Sequence, residues 1–416
     1  MNIEHYQQHT FPNGIRLIHR QVSHTRIAHC GFALNIGSRD ETPAQLGIAH
    51  FWEHMAFKGT KKRKAYHILN RLDALGGELN AFTSKEQIFF YASILEEHFE
   101  KAADVLTDIT FHSVFPEREI FKERGVILEE MAMYRDNPAE SIDDDFDGIV
   151  FGSHPLGQPV LGTPESVSSF GKPDFEQFIA QRLNTEKLIF VSVSSLSFEK
   201  VKRTLERYLE DVPALYGSLE RELPKPLPAQ RLEERKPSLS QANGVMGRAT
   251  YSFYDKKRLP FVLLTNLLGG NGMNTRLNLT LREKYGLVYG VEASSSFFSD
   301  SGIFSINFAT DKKTLPKTLH LIEKELDKLR HQKLGTLQLH SAKQQLKGQL
   351  AMSAESNSGL MLTMGKYFLM QQHMPTWKDT FDAIDGITAE LLLEIAQEQF
   401  APDSLSTLIY VPENQD

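Results

Sequence analysis

The chain has almost no cysteine: Cys30 is the only one in 416 residues. A single thiol cannot close an intramolecular disulfide. It also excludes a zinc cluster built on thiolates, so any metal must be held by histidine and carboxylate groups. No apolar run approaches the roughly 18 residues needed for a membrane-crossing helix. The opening stretch MNIEHYQQHTFPNG lacks the basic-then-apolar order of a secretory leader and the arginine-rich, acid-poor character of an organellar one. The sequence therefore reads as cytoplasmic, with no membrane partner. A basic stripe is absent too. The net charge is −7, and the short basic run 61–64 suits a solvated loop, so nucleic acid is not an expected partner.

What the chain does contain is an ordinary globular balance, 24% charged and 41% hydrophobic, enough for two or three domains with buried cores. With 27 phenylalanines, those cores should be rich in aromatic contacts. Strands are expected near 14–19 and 27–37, then a helix over 43–57 and another over 64–75 that stops at Gly76-Gly77. Strands at 78–83 and 87–95 follow, then helices over 97–111 and 116–134, the second with proline in its first turn.

The stretch 213–244 changes character. It carries Pro213, Pro224, Pro226, Pro228 and Pro237 among many charges, which suits an exposed connector. The same strand–turn–strand–helix order lies on both sides of it, in GGELNAFTSKEQIFFYASILEEHFEKAADVL and in YGLVYGVEASSSFFSDSGIFSINFATDKKTLPKTLHLI. Phe304, Ile306 and Phe308 alternate with Ser305, Asn307 and Ala309, as in a half-buried strand. The expected fold is α+β: two similar α/β-sandwich-like domains, each a mostly antiparallel sheet with helices packed on it, related by internal duplication. Their expected limits are 1–212 and 245–416, with 213–244 as linker.

The strongest motif is HFWEHMAFKGT, residues 50–60. Leu46, Ala49, Trp52, Met55 and Ala56 support a helix there, which puts His50, Glu53 and His54 on one face. Two imidazoles one turn apart can share one metal, and zinc is the usual ion for histidine and carboxylate ligands. Glu53 is then placed to take a proton from a water made acidic by the ion. Glu129 and Glu130 sit side by side on the 116–134 helix, and periodicity alone does not choose between them.

HFWEHMAFKGT closely resembles the signature of the inverzincin peptidases, the pitrilysin and insulinase family, and within it the mitochondrial processing peptidase branch. The resemblance continues through GSRDE (37–41), GGELNAFTSKE (76–86), ERGVILEEMAMY (123–134) and HPLGQPVLGTPE (154–165), so it covers most of the chain. It implies a zinc-dependent endopeptidase with one Zn2+ per chain. By the family spacing Glu130 becomes the third ligand, and Glu123, two turns earlier, orients a ligand. His154 reads as loop near the site rather than ligand. Two departures stand out: Trp52 replaces a common leucine, and VSVSSLSF (191–198) lacks the usual Gly-Asn pair, leaving its turn open.

An extended peptide substrate would add to a sheet edge at 79–83. By likeness Asn80 and Ala81 hold its backbone, and Phe57, one turn beyond the histidines, would line a side-chain pocket. In LREKYGLVYG, Arg282 and Tyr289 resemble the pair that reaches into the site from the far side, Tyr289 toward the oxyanion and Arg282 toward a substrate carbonyl. No His-x-x-Glu-His occurs after residue 240. In single-chain relatives the pair comes from the half-molecule opposite the zinc domain, and this chain is one half-molecule carrying both motifs. A homodimer with the site completed in trans is therefore expected. The acidic run of Glu140, Asp143, Asp144, Asp145 and Asp147 reads as a solvated helix end, with a preference for basic residues near the cut as its functional alternative. The competing class is a non-catalytic assembly subunit of the same family, which generally loses ligands or the base.

Overall fold

The computed structural model describes residues 6–236 and 239–413; the first five residues of the opening stretch, and Pro237, lie outside them. The first sheet is built from β1 (Tyr6–Thr10), β2 (Arg16–Gln21), β3 (Ile27–Leu34), β4 (Glu78–Thr83), β5 (Ile88–Leu95) and β6 (Leu188–Ser194). Its six strands run in the order β1-β2-β6-β3-β5-β4. Only β2 and β6 pair in parallel; the remaining neighbours are antiparallel. β6, LIFVSVS, is buried along its whole length, as a strand covered on both faces must be.

One face of this sheet carries α1 (Ile48–Ala56), α2 (Ala65–Asp73) and α3 (Phe99–Phe111). Phe51, Trp52 and Met55 of α1, Leu72 of α2 and Leu106 of α3 share a core with Phe90 of β5. On the other face lies the helix Asn357–Met370, whose Leu360, Met361, Met364 and Phe368 cover Ile18, Ile189, Val191 and Val193. Gly365 lets it come close, since a Cβ there would stand 2.6 Å from the Phe89 ring.

The second sheet comprises β7 (Arg231–Lys236), β8 (Ala242–Thr250), β9 (Val288–Phe297), β10 (Gly302–Thr310) and β11 (Ser406–Pro412), in the order β7-β11-β8-β10-β9. Without β1, the first sheet maps onto it strand for strand, down to the single parallel pair, β2/β6 in one and β7/β11 in the other. The fold is thus two similar α+β domains. The helices Arg258–Gly269, Leu315–His331 and Ala389–Gln399 cover one face of the second sheet. From α4 (Glu117–Asp136) the chain runs into α5 (Pro138–Phe151), and Ile142, Phe146 and Val150 of α5 cover the other face against Val245, Leu408 and Tyr410.

The compact units are consequently discontinuous. One comprises 1–131, 159–221 and 352–377; the other comprises 132–158, 222–351 and 378–416. The sequence reading drew contiguous halves. The difference is physical: each sheet needs its outer face covered, and the covering helix comes from beyond the boundary drawn at 213–244.

The connector is exposed over 225–234, as expected, but it is not all unstructured chain. Its later part forms β7 and the start of β8. Arg221 is not exposed: its Nε and NH2 donate to the two oxygens of Asp40 at 2.9 and 2.8 Å. The acidic run is likewise not a free helix end. Asp143 accepts from Asn307 at 3.0 Å, and Asp145 accepts from the Tyr410 hydroxyl, so both tie α5 to its sheet. The VSVSSLSF segment ends β6 and starts the helix Phe198–Leu209 after Ser197. Among the described residues no helix is long and apolar enough to cross a membrane.

The helix expected over 43–57 is broken in two. A 3-10 turn at Pro43–Gln45 precedes α1, and Gly47 between them has φ +89°. A side chain at Gly47 would be strained there and would place its Cβ 2.4 Å from the Leu161 carbonyl oxygen. Gly47→Ala should therefore destabilise the fold by about 1–3 kcal/mol or more, read as a lowered Tm of the metal-free protein. An unchanged melt would show that the turn is not under this constraint.

Candidate metal centre

α1 has only nine residues, too few to be stable alone, and its start is held from outside. The Glu41 carboxylate accepts from Gly47 N and from Ala49 N, both at 2.8 Å, satisfying donors that a helix start leaves open. Ser166 Oγ, one residue past the HPLGQPVLGTPE motif, donates to the Leu46 carbonyl at 2.6 Å. GSRDE, through Glu41, and HPLGQPVLGTPE, through Leu161 against Gly47, thus both support this helix. Its apolar face buries Phe51 and Trp52, Trp52 lying 6.1 Å from the Phe90 ring and 6.4 Å from Phe178. The indole fills the core behind the helix, and its Nε1 has no acceptor among the described residues.

The opposite face presents His50 and His54, ring centroids 4.6 Å apart, with Glu53 beside them. α4 brings a carboxylate to meet them: Glu130 Oε2 is 3.6 Å from His54 Nε2 and 3.9 Å from His50 Nε2. Glu129 is exposed. Donor atoms of His50, His54 and Glu130 all fall within 4.8 Å of one another, the one such group among the described residues.

The donors fit a small divalent cation. Ligands at about 2.0–2.1 Å from a tetrahedral ion lie roughly 3.3–3.4 Å apart, so the Glu130–imidazole spacings of 3.6 and 3.9 Å need only tenths of an ångström to close. Burial, with His54 beside it, pushes the His50 pKa down to about 3, so that ring is neutral. His54 Nδ1 lies 2.9 Å from Glu123 Oε1; a proton on that nitrogen leaves Nε2 bare toward His50 and Glu130. Burial pushes the Glu123 carboxyl up, but His54 and Lys58 together pull it below its ordinary range.

Glu53 has its own support. Thr83 Oγ1, at the end of β4, donates to Glu53 Oε2 at 2.6 Å. Burial raises the Glu53 pKa, against the pull of Thr83 and His54. A carboxylate so placed is a better proton acceptor than one in water. β4 is the sheet edge, its outward side free of a neighbouring strand in this sheet. Asn80 is exposed on it, whereas Leu79 and Ala81 pack on the core below. Phe57 closes α1 and packs against that core, 6.3 Å from the Phe90 ring. His154 has both ring nitrogens turned to backbone, Nδ1 accepting from Leu156 N and Nε2 at 3.0 Å from the Glu222 carbonyl, so it is loop and not ligand.

In the second unit Arg282 lies on a π-helical segment, Asn278–Lys284, and Tyr289 on the edge strand β9. The two are in contact, the guanidinium 5.5 Å from the ring centre, and Tyr289 is 87% exposed. Sequence reasoning missed Thr83, Glu41 and Lys58. Each left a signal: Thr83 alternates with Leu79 and Ala81 on β4, Glu41 precedes the helix start, and Lys58 is four residues past His54.

A three-donor cluster beside a half-buried carboxylate, on a duplicated α+β scaffold, is an arrangement able to hold a metal ion next to a proton acceptor. The family model for insulinase (peptidase family M16) matches residues 16–164, and that for the peptidase M16 inactive domain matches 169–346. The chain is 32% identical to the uncharacterized zinc protease YmxG of Bacillus subtilis, over 97% of this chain and 98% of that one. It is 31% identical to an uncharacterized zinc protease of Rickettsia felis, over 98% of each. The chain belongs to the insulinase family, peptidase family M16. Its fold matches the crystal structure of the peptidase M16 inactive domain from Pseudomonas fluorescens with TM-score 0.90 at 18% identity, covering 99% of both chains. A protease from Helicobacter pylori matches with TM-score 0.87 at 20% identity, over 98% of this chain and 99% of that one.

The geometry separates the two adjacent glutamates. Glu130→Ala should lose stoichiometric zinc after dialysis, while Glu129→Ala keeps it, as read by elemental analysis. Equal retention by both variants would remove Glu130 from the ligand set.

Proposed function

We propose that the chain is a zinc-dependent endopeptidase, processing-peptidase-like, with one Zn2+ per chain held by His50, His54 and Glu130. The observation that carries this reading is Glu53. It stands beside the donor cluster, one oxygen fixed by Thr83, at the end of an open sheet edge. When bound, the cation supplies the positive charge that acidifies water and polarises a carbonyl. Glu53 takes a proton at its other oxygen and returns it to the leaving amine. β4 binds an extended peptide through its main chain at Asn80 and Ala81, a mode that tolerates varied side chains and suits unfolded segments. Phe57, packed beneath the end of α1, shapes the floor next to it.

Arg282 and Tyr289 complete the site from a second copy in a homodimer that encloses the substrate. Tyr289 donates to the developing oxyanion and Arg282 binds a substrate carbonyl. Their mutual contact and exposure support this, since an exposed aromatic–guanidinium pair is available to a partner. Retention of the donors and of Glu53 counts against a non-catalytic assembly subunit.

A quenched peptide library, with cuts mapped by mass spectrometry, should be cleaved, silenced by a chelator and restored by zinc. A chain that binds stoichiometric zinc yet cuts nothing would end the peptidase reading. Glu53→Gln should keep zinc and lose about 10²–10⁴-fold in kcat. Thr83→Val should lower kcat with KM little changed, and Thr83→Ser should restore it. Mixing Glu53→Gln with Tyr289→Phe chains should recover activity; no recovery would count against completion in trans.

A further inference from the structure

α1 and α4 each bring donors to the cluster, and a buried carboxylate of α4 reaches the end of α1 with both its oxygens. Glu123 Oε1 lies 2.9 Å from His54 Nδ1, while Glu123 Oε2 lies 2.7 Å from Lys58 Nζ. The Glu123 side chain is 8% exposed and that of Lys58 28%. His54 and Lys58 are four residues apart, so both reach the same carboxylate from the end of α1. Lys58 lies just past the helix but is not loose, because its backbone N–H donates to the Met55 carbonyl at 3.0 Å.

We propose that Lys58 is a positioning residue for the metal: it locks the Glu123 carboxylate so that Glu123 in turn fixes the His54 ring. The inference rests on the metal-site reading above. A glutamate's last torsion is broad and roughly two-fold, so a carboxylate held at one oxygen still turns. Held at both oxygens, it presents Oε1 to His54 in one orientation. The same clamp ties α1 to α4 two turns from Glu130, and so sets where the third donor stands relative to the two imidazoles.

Two effects oppose each other when Lys58 is removed. Loss of an ammonium near a cation favours metal binding, and loss of orientation disfavours it. The ammonium is in contact with Glu123, so the pair is close to neutral as seen from the cluster. The buried Oε2, left without a donor, turns toward whatever donor remains, away from its place beside His54. Orientation dominates, and the affinity falls.

The test is titration of Zn2+ against a chromophoric chelator, with the full chain and its Lys58→Met, Lys58→Arg and Glu123→Gln variants. Disturbing a ligand's supporting partner costs 10–100-fold in metal affinity, so Glu123→Gln should fall in that range and Lys58→Met near its lower end, about 10-fold. Lys58→Arg, which keeps a charged donor, should recover most of the loss. A second readout is the nitrogen-15 signature of the His54 ring in the zinc-loaded chain. It should show one Nδ1-protonated form in the parent and mixed or broadened signals in Lys58→Met. A melt of the zinc-free variants separates positioning from loss of fold. Lys58→Met that binds zinc as tightly as the parent, with an unchanged His54 signature, overturns the proposal. Zinc binding without peptide cleavage in the parent overturns only the peptidase reading, and a parent that binds no zinc overturns both.

Discussion

The arrangement at the metal cluster depends on how a nine-residue helix is made to start. At that length the intrinsic stability of α1 is marginal, and its donors are useful only if its axis and rotation are fixed. Gly47 turns the chain through a left-handed conformation, and Glu41 fills the open N–H groups beyond it. The loop at Leu161 and Gly162 lies so close that no side chain fits at the turn. Nearby Glu41 and the distant 161–162 loop thus converge on one residue, and His50, Glu53 and His54 inherit their direction from it. Trp52 and Phe51 then press the opposite face of the helix into the aromatic core, so rotation is fixed from behind as well.

The duplicated scaffold shows what the site requires beyond a fold. Both units have the same strand order and a helix in the connection that leads to the edge strand. In the first unit that helix carries two histidines and a glutamate. In the second, Arg258–Gly269 reads RLPFVLLTNLLG and buries Phe261, Leu264 and Leu268 without offering a single metal donor. The model for the peptidase M16 inactive domain matches residues 169–346, a span that includes this helix. The edge strands have diverged in parallel: β4 ends in Thr83 against Glu53, while β9 presents Tyr289 to solvent.

Much of this was legible in the sequence because it rests on local patterns. Strands 78–83 and 87–95 and the 97–111 and 116–134 helices appear close to where alternation and helical spacing put them. The trio on α1 followed from helical geometry, and the edge position of β4 from the need of an extended substrate for a sheet edge. Other features were not legible, because they depend on contacts far apart in the chain. Pattern alone did not distinguish Glu129 from Glu130, since both lie on one helix and only the approach of α1 separates them. The 43–57 helix looked continuous because nothing within it announces that Leu161 will sit against Gly47. The connector's prolines and charges mark exposed chain, as residues 225–234 are, but they do not reveal that Arg221 meets Asp40. The exchange of α5 and Asn357–Met370 was invisible for the same reason, their apolar faces naming no partner.

That exchange bears on the order in which the protein is made. By the time Ser194 has left the ribosome, all six strands of the first sheet exist, and α1 to α4 with them. Yet Ile18, Ile189, Val191 and Val193 lack their cover until Asn357–Met370 is synthesised. At bacterial or eukaryotic translation speeds that is a wait of roughly ten seconds or more. During it the nascent sheet exposes an apolar surface to the cell, inviting chaperones or a neighbouring nascent chain. The unit that holds the donor cluster is therefore begun first and finished nearly last, and its maturation is timed by the synthesis of almost the whole polypeptide.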